Sequence, residues 1–182
     1  MKARKVKGLD PAGPLGDNAE RIVRVRLGEL YSFMPRAADA AEVTALHDMR
    51  IAAKRLRYIL EITHRCFGPA AEPAVKVVKQ LQEVLGEVHD CDVQLPEVRA
   101  FLDELVVADA AALLDGAKDP PHRDAYAGLV ALTAELLARR EREFRAFLAL
   151  WEELEREDFR GRVESAICER SAVGDPATIE LQ

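Results

Sequence analysis

The sequence predicts an all-α protein, an antiparallel bundle of about five helices. Apolar residues recur at helical spacing along most of the chain, and no stretch alternates in the manner of a strand. Of the 182 residues, 49% are hydrophobic, which is enough to bury the core of one domain. We expect a basic N-terminal arm and loop over 1–17, a helical domain over 18–170 and a C-terminal tail over 171–182.

Glycine and proline divide the chain into helical stretches. The expected helices span residues 18–34, 40–67, 70–88, 91–108 and 122–168. The second has the most regular apolar spacing, at Leu46, Met49, Ala53, Leu56, Leu60, Thr63 and Phe67. Gly68 and Pro69 should end it. Asp90 should cap the fourth helix, and Gly161 marks a bend or break in the last one. The N-terminal arm (residues 1–7) carries four cations, and we expect it to be mobile.

The second expected helix carries a row of cations opposite its apolar side. On a wheel that advances about 100° per residue, the row and the tyrosine beside it comprise His47, Arg50, Lys54, Arg57, Tyr58 and Arg65. Arg55 is displaced from the row by about a quarter turn, and Glu61 relieves only one end. Like charges at this spacing repel by a few tenths of a kcal/mol per pair, roughly. Such a row predicts an anion that binds along it.

A solvated helix face is the simplest alternative interpretation. Two observations favour a bound polyanion instead. The row is almost entirely positive in a chain whose net charge is −6, and it is rich in arginine, whose fork of donors suits phosphate. Inorganic polyphosphate suits such a row because it offers charge and no other feature to recognise. Base recognition would need amide or aromatic side chains, and only Tyr58 is present, so nucleic acid is the weaker candidate.

Two sequence blocks resemble the CHAD family, the conserved histidine α-helical domain. The first block is His47-x-x-Arg50-x-x-x-Lys54-Arg55-x-Arg57-Tyr58. The second is Lys79-x-Leu81-Gln82-x-x-Leu85-Gly86-x-x-His89-Asp90-x-Asp92-Val93. A later stretch, Phe147-x-x-x-Trp151-x-x-Leu154, is similar to the closing helix of the family.

The resemblance implies a helical bundle that binds inorganic polyphosphate through a basic surface and associates with polyphosphate granules. By matching position, it implies phosphate contacts at His47, Arg50, Lys54, Arg55, Arg57 and Lys79, with Lys76 as a weaker addition. Many members carry two helical repeats, each with its own His-x-x-Arg helix, and this chain has one. A second basic helix would be absent, degenerate or supplied by a second chain in a homodimer. Members are often fused to a triphosphate-tunnel hydrolase domain, which has no counterpart here.

Other functions have weaker support in the sequence. The run His89-Asp90-Cys91-Asp92 has metal-ligand residue types, but a helix cap is the simpler interpretation, so we expect no metal and no cofactor. No catalytic motif is present, and we expect a protein that is not an enzyme. The alternatives are a histidine phosphotransfer bundle that uses His47 and an adaptor that binds RNA or nucleotides.

The sequence also predicts where the protein resides. Cys66, Cys91 and Cys168 form no CxxC pair, which indicates a reducing compartment. The first residues lack the apolar segment of a signal peptide, and no apolar run is long enough to span a membrane. We therefore expect a cytoplasmic location.

Overall fold

The computed structural model describes residues 2–69 and 71–169, and these contain five α-helices and no β-strand. The helices are α1 (Leu15–Tyr31), α2 (Val43–Thr63), α3 (Ala71–Leu114), α4 (Arg123–Arg156) and α5 (Phe159–Cys168). Short 3₁₀ helices, Arg36–Ala38 and His64–Cys66, lie on either side of α2. The predicted all-α class is confirmed. The expected tail at 171–182 lies outside the described residues.

The helices form two regions with different packing. In the bundle (α1, α2, α5, α3 up to residue 92 and α4 from residue 140), α2 packs between α1 and α3, and α4 packs along α3. Its core includes Leu27, Met49, Leu56, Leu85 and Phe147, each no more than 1% exposed. The hairpin (residues 93–139) consists of the remainder of α3 and α4 with their connection. Its only buried residues are Leu105, Asp109 and Leu136.

The predicted break between a third and a fourth helix is wrong, because α3 is continuous from Ala71 to Leu114. Val88 and Cys91 on either side of the expected turn are both fully buried, so the segment keeps helical spacing despite its polar residues. Asp90 is therefore exposed in mid-helix and caps nothing. Pro96 lies inside α3 on an exposed position, where the lost backbone hydrogen bond can be replaced by water.

The long last helix that the sequence predicts is divided into α4 and α5. Asp158 separates them in a left-handed conformation, with φ 47° and ψ 49°. Its side chain caps α5 by accepting a hydrogen bond from the Gly161 amide at 3.1 Å. A Cβ at Gly161 would collide with that carboxylate, so this glycine permits the cap rather than forming the bend itself.

The N-terminal arm is docked on α1, which corrects the expectation that it is mobile. The Arg4 amide donates to Glu29 Oε1 at 3.1 Å, and Arg26 Nη1 donates to the Arg4 carbonyl at 3.1 Å. Beyond the arm, Arg21 donates to the Gly8 carbonyl. These contacts use the main chain of the segment, which composition alone does not reveal.

Candidate polyanion-binding site

The outward side of α2 carries the predicted cations. The core residues of α2, among them Met49, Leu56 and Leu60, lie on one side, because their spacing of three and four returns each to the same direction. His47, Arg50, Lys54 and Arg57 lie on the other side, and all are partly exposed. The helix ends at Thr63, so Arg65 belongs to the following 3₁₀ turn and does not extend the row as a helix residue.

One edge of this row lies against α3. His47 Nδ1 is 3.2 Å from His89 Nδ1, and the two rings are 4.6 Å apart between centroids. A Cβ built at Gly86 would lie 3.7 Å from Arg50 Nε, so the absence of a side chain there leaves room for the guanidinium. These contacts run antiparallel along α2 and α3. We call the surface along this contact, with His47, Arg50, Lys54 and Arg57 of α2 on one side and α3 on the other, the groove.

Lys79 and Lys76 come from the α3 side of this groove. Lys79 is seven residues before Gly86, which places it on nearly the same face and about 10 Å along the helix axis. Arg57 is the same number of residues after Arg50, so Lys79 lies at about its level. Lys79 forms a loose, exposed ion pair with Glu83 at 3.8 Å. Lys76 is exposed and lies nearly a quarter turn from that face.

Two cations of the row lack carboxylate partners. Among the described residues, neither Arg50 nor Lys54 forms an ion pair, and Arg50 Nε is buried without a hydrogen-bond acceptor. In contrast, both arginines of α5 and every arginine of α4 after Arg123 have ion-pair partners. In a chain with a net charge of −6, this leaves positive potential concentrated on α2.

Tyr58 holds two cations of the row side by side. The Arg57 guanidinium lies 4.8 Å from the ring centroid and Lys54 Nζ lies 5.8 Å from it, both within the range of a cation–π contact. Arg57 Nε is 3.3 Å from Glu61 Oε1 but has no hydrogen-bond acceptor, so that ion pair is poorly aligned. The guanidinium therefore keeps donors for another anion.

Arg55 is engaged elsewhere. Its Nη1 donates to Glu29 Oε1 at 3.2 Å on the side of α2 that faces α1. The Glu29 side chain is only 1% exposed, and Arg26 binds its other oxygen at 2.7 Å. The structure thus separates Arg55 from the groove, along which helical spacing places His47, Arg50, Lys54, Arg57 and Lys79.

His89 has a lowered pKa. Burial is the main cause, followed by the positive charges of Arg50 and His47, while Asp90 and Asp92 act in the opposite direction. A hydrogen bond between two imidazole Nδ1 atoms requires one ring to donate and the other to accept. The contact therefore needs one of the two Nδ1 atoms to carry no hydrogen.

Sequence reasoning assigned no site role to Gln82, Gly86 or His89, although all three were quoted in the second block. They fall at positions i, i+4 and i+7, which share one face of a helix, and this spacing could have identified the wall of the groove. Gln82 Oε1 is buried and lacks a hydrogen-bond donor within the described residues.

The run of metal-ligand residue types around His89 is dispersed by the helix. His89 faces His47, Cys91 is buried and Asp92 binds Arg140 of α4, whose Nη2 also donates to the Ala40 carbonyl at 2.8 Å. The part of the chain that the structure describes contains no group of three or more histidine, cysteine, aspartate or glutamate residues suited to a metal ion.

No helix in the described ranges combines the length and apolar character needed to span a membrane. Comparison with known proteins gives one family: a family model described as "CHAD domain" matches residues 2–99, more than half of the chain. No curated protein and no solved structure matches the chain.

Proposed function

Since the chain belongs to the CHAD domain family, we propose that it binds inorganic polyphosphate in the groove between α2 and α3, without catalysing a reaction. The observation that carries this proposal is the pair Arg50 and Lys54, which have no carboxylate partner among the described residues, while the arginines of α5 and those of α4 after Arg123 are ion-paired. A partly buried guanidinium without an anion is costly, and a phosphate oxygen supplies both the charge and the acceptor.

The groove suits a linear polyanion better than a compact one. From His47 to Arg57 the cations extend about 15 Å along α2, with one cation in roughly every turn. Successive phosphates of a chain can each meet one cation, and Lys79 lies opposite the far end. The family resemblance implies association with polyphosphate granules, and we propose a cytoplasmic location of that kind for this chain.

The test is a triple variant, Arg50→Ala, Lys54→Ala and Arg57→Ala, titrated with long-chain polyphosphate. We expect the affinity to fall by about 100-fold or more, because charge-assisted hydrogen bonds contribute roughly 1.5–3 kcal/mol each. The wild-type affinity should decrease steeply with salt, with a slope of log K against log salt of about −3 for four phosphate contacts. Circular dichroism should show unchanged helix content in the variant.

A matched control removes the same charge elsewhere. Arg142, Arg145 and Arg156 are exposed on α4, which packs on α3 rather than on α2. Their replacement by alanine should leave the affinity within about twofold of the wild type, given that distant exposed charges are largely screened. Equal binding by wild type and groove variant would refute the proposal.

Two further outcomes would point to other functions. Short RNA that competes as well as polyphosphate at equal phosphate concentration would favour a nucleic-acid adaptor. Acid-labile phosphate on His47 after incubation with a phosphodonor would favour histidine phosphotransfer.

A further inference from the structure

The N-terminal arm is a second concentration of unpaired cations. Its described residues include Lys2, Arg4, Lys5 and Lys7, all exposed and none with an ion-pair partner in the described parts of the chain. No acidic residue occurs in the arm. Docking of the arm fixes where these charges lie, so its position decides which anions they can reach.

Glu29 holds the arm beside α2. A single oxygen, Oε1, accepts from the Arg4 amide at 3.1 Å and from Arg55 Nη1 at 3.2 Å. Because both donors share one atom, the Arg4 nitrogen lies no more than about 6 Å from Arg55 Nη1. The arm therefore lies against α1 and comes close to α2 at Arg55.

The docking contacts of the arm do not involve its lysine side chains. The main-chain amide and carbonyl of Arg4 make the principal contacts, and its guanidinium adds a longer hydrogen bond to the Gly28 carbonyl at 3.4 Å. The buried charge of Glu29 is already balanced by Arg26 and Arg55. It therefore does not neutralise Lys2, Lys5 or Lys7, whose side chains are exposed.

The arm and α3 lie on opposite flanks of the outward side of α2. On the helical wheel Arg55 is about 140° from Arg50, the residue that contacts α3 at Gly86. We propose that the arm widens the polyphosphate site on this second flank, with Lys2, Lys5 and Lys7 binding the phosphates of long chains that extend beyond the groove. This inference rests on the proposed function and adds to it a preference for long polyphosphate chains over short ones.

The experiment compares a short and a long ligand. The variant Lys2→Gln, Lys5→Gln and Lys7→Gln keeps Arg4 and hence the docking contacts of the arm. We expect its affinity for long-chain polyphosphate to fall by about tenfold at low salt. The salt slope for the long chain should become shallower by about 2, since each neutralised phosphate contributes roughly 0.7. The affinity for tripolyphosphate, which the groove alone can accommodate, should stay within twofold.

The α4 arginine variant described above, with the same loss of three positive charges, is the control and should bind both ligands normally. A lysine variant that binds long chains with wild-type affinity and slope overturns the inference and leaves the proposed function intact. A lysine variant that loses affinity equally for both ligands also overturns the inference, because the arm would then act on the groove rather than bind the extended chain. A wild-type protein that binds neither ligand removes the proposed function, and the inference with it.

Discussion

The bundle and the hairpin share two long helices, yet they bury very different amounts of apolar surface. In the bundle, α3 and α4 are covered by α1, α2 and α5, and residues such as Leu85 and Phe147 have at most 1% of their surface exposed. In the hairpin the same helices cover only each other, and large apolar side chains are exposed at Val93, Phe101, Val106, Val107, Leu113, Leu114, Val130, Leu132 and Leu137. The family match ends at residue 99, close to where α3 leaves the bundle.

This difference indicates that the two regions have different constraints. The proposed site needs a rigid support, since side chains that bind successive phosphates have to be held at fixed spacing. The bundle provides this rigid support, because its core continues beneath α2. The hairpin carries no part of that groove, and its helices leave an apolar cleft of about 410 Å³ lined by Leu95, Pro96, Arg99, Leu102, Thr133 and Leu137.

The largest expected effect compares two phenylalanines. Phe147 in the bundle is fully buried, whereas Phe101 in the hairpin is 50% exposed. Phe147→Ala should lower the free energy of unfolding by about 3–5 kcal/mol through lost burial and a cavity. Phe101→Ala should lower it by about 0.5 kcal/mol or less. Urea unfolding followed by circular dichroism measures both, and equal losses would mean that the hairpin face is covered in the protein.

A smaller effect concerns His89 in the bundle, which we compare with His122 in the hairpin. Because the pKa of His89 is lowered in the folded protein, the unfolded chain binds more protons, and stability should decline as pH falls below the ordinary value of about 6.5. A bound polyanion opposes this by stabilising the imidazolium. Polyphosphate affinity should therefore rise over the same pH range, because the charged ring adds a cation beside Arg50.

His89→Gln should flatten both pH dependences, measured by titration and by urea unfolding at several pH values. His122→Gln, in the hairpin, is the matched control and should leave the pH dependence of binding unchanged. If the two variants behave alike, the His47–His89 contact does not sense the ligand.

The smallest effect is confined to the end of the hairpin. Burial disfavours the ionised form of Asp109, but hydrogen bonds from Tyr126 at 2.6 Å and His122 at 2.7 Å outweigh it and lower the pKa of this carboxyl. Its contribution to stability is present above the ordinary pKa of about 3.9 and is lost as pH falls through the lower folded value.

We expect faster amide exchange near residues 105–126 in this acidic range, after correction for intrinsic rates, while α2 stays protected. Asp109→Asn should show the faster exchange already at neutral pH, with little further change on acidification. Loss of protection in α2 at the same pH would show that the two regions unfold as one unit.

The sequence predicted the part of the fold that depends on local pattern. The expected helix at 40–67 contains α2, and Gly68 and Pro69 follow it, because apolar spacing and chain breakers act within a few residues. The break near Asp90 was wrong, because a polar run on a helix can be accommodated by partners on other helices: His47 for His89 and Arg140 for Asp92.

The sequence predicted the cations of the site and the lysines of the facing helix, but not the contacts that His89 and Gly86 of α3 make with them. The direction of Arg50 and Lys54 follows from helical spacing alone. The diversion of Arg55 to Glu29 does not, because it depends on how α1 packs against α2. The docking of the arm was missed for the same reason, since a main-chain amide that meets a buried carboxylate has no counterpart in residue composition.

The uninterrupted course of α3 has a mechanical consequence. Its 44 residues make a helix about 65 Å long. Half of it packs in the bundle, and half projects as one helix of the hairpin. Because no turn interrupts this helix, the tip of the hairpin and the face of α3 that contacts α2 belong to one continuous element. A partner that tilts the hairpin would therefore also act on the α3 side of the proposed site.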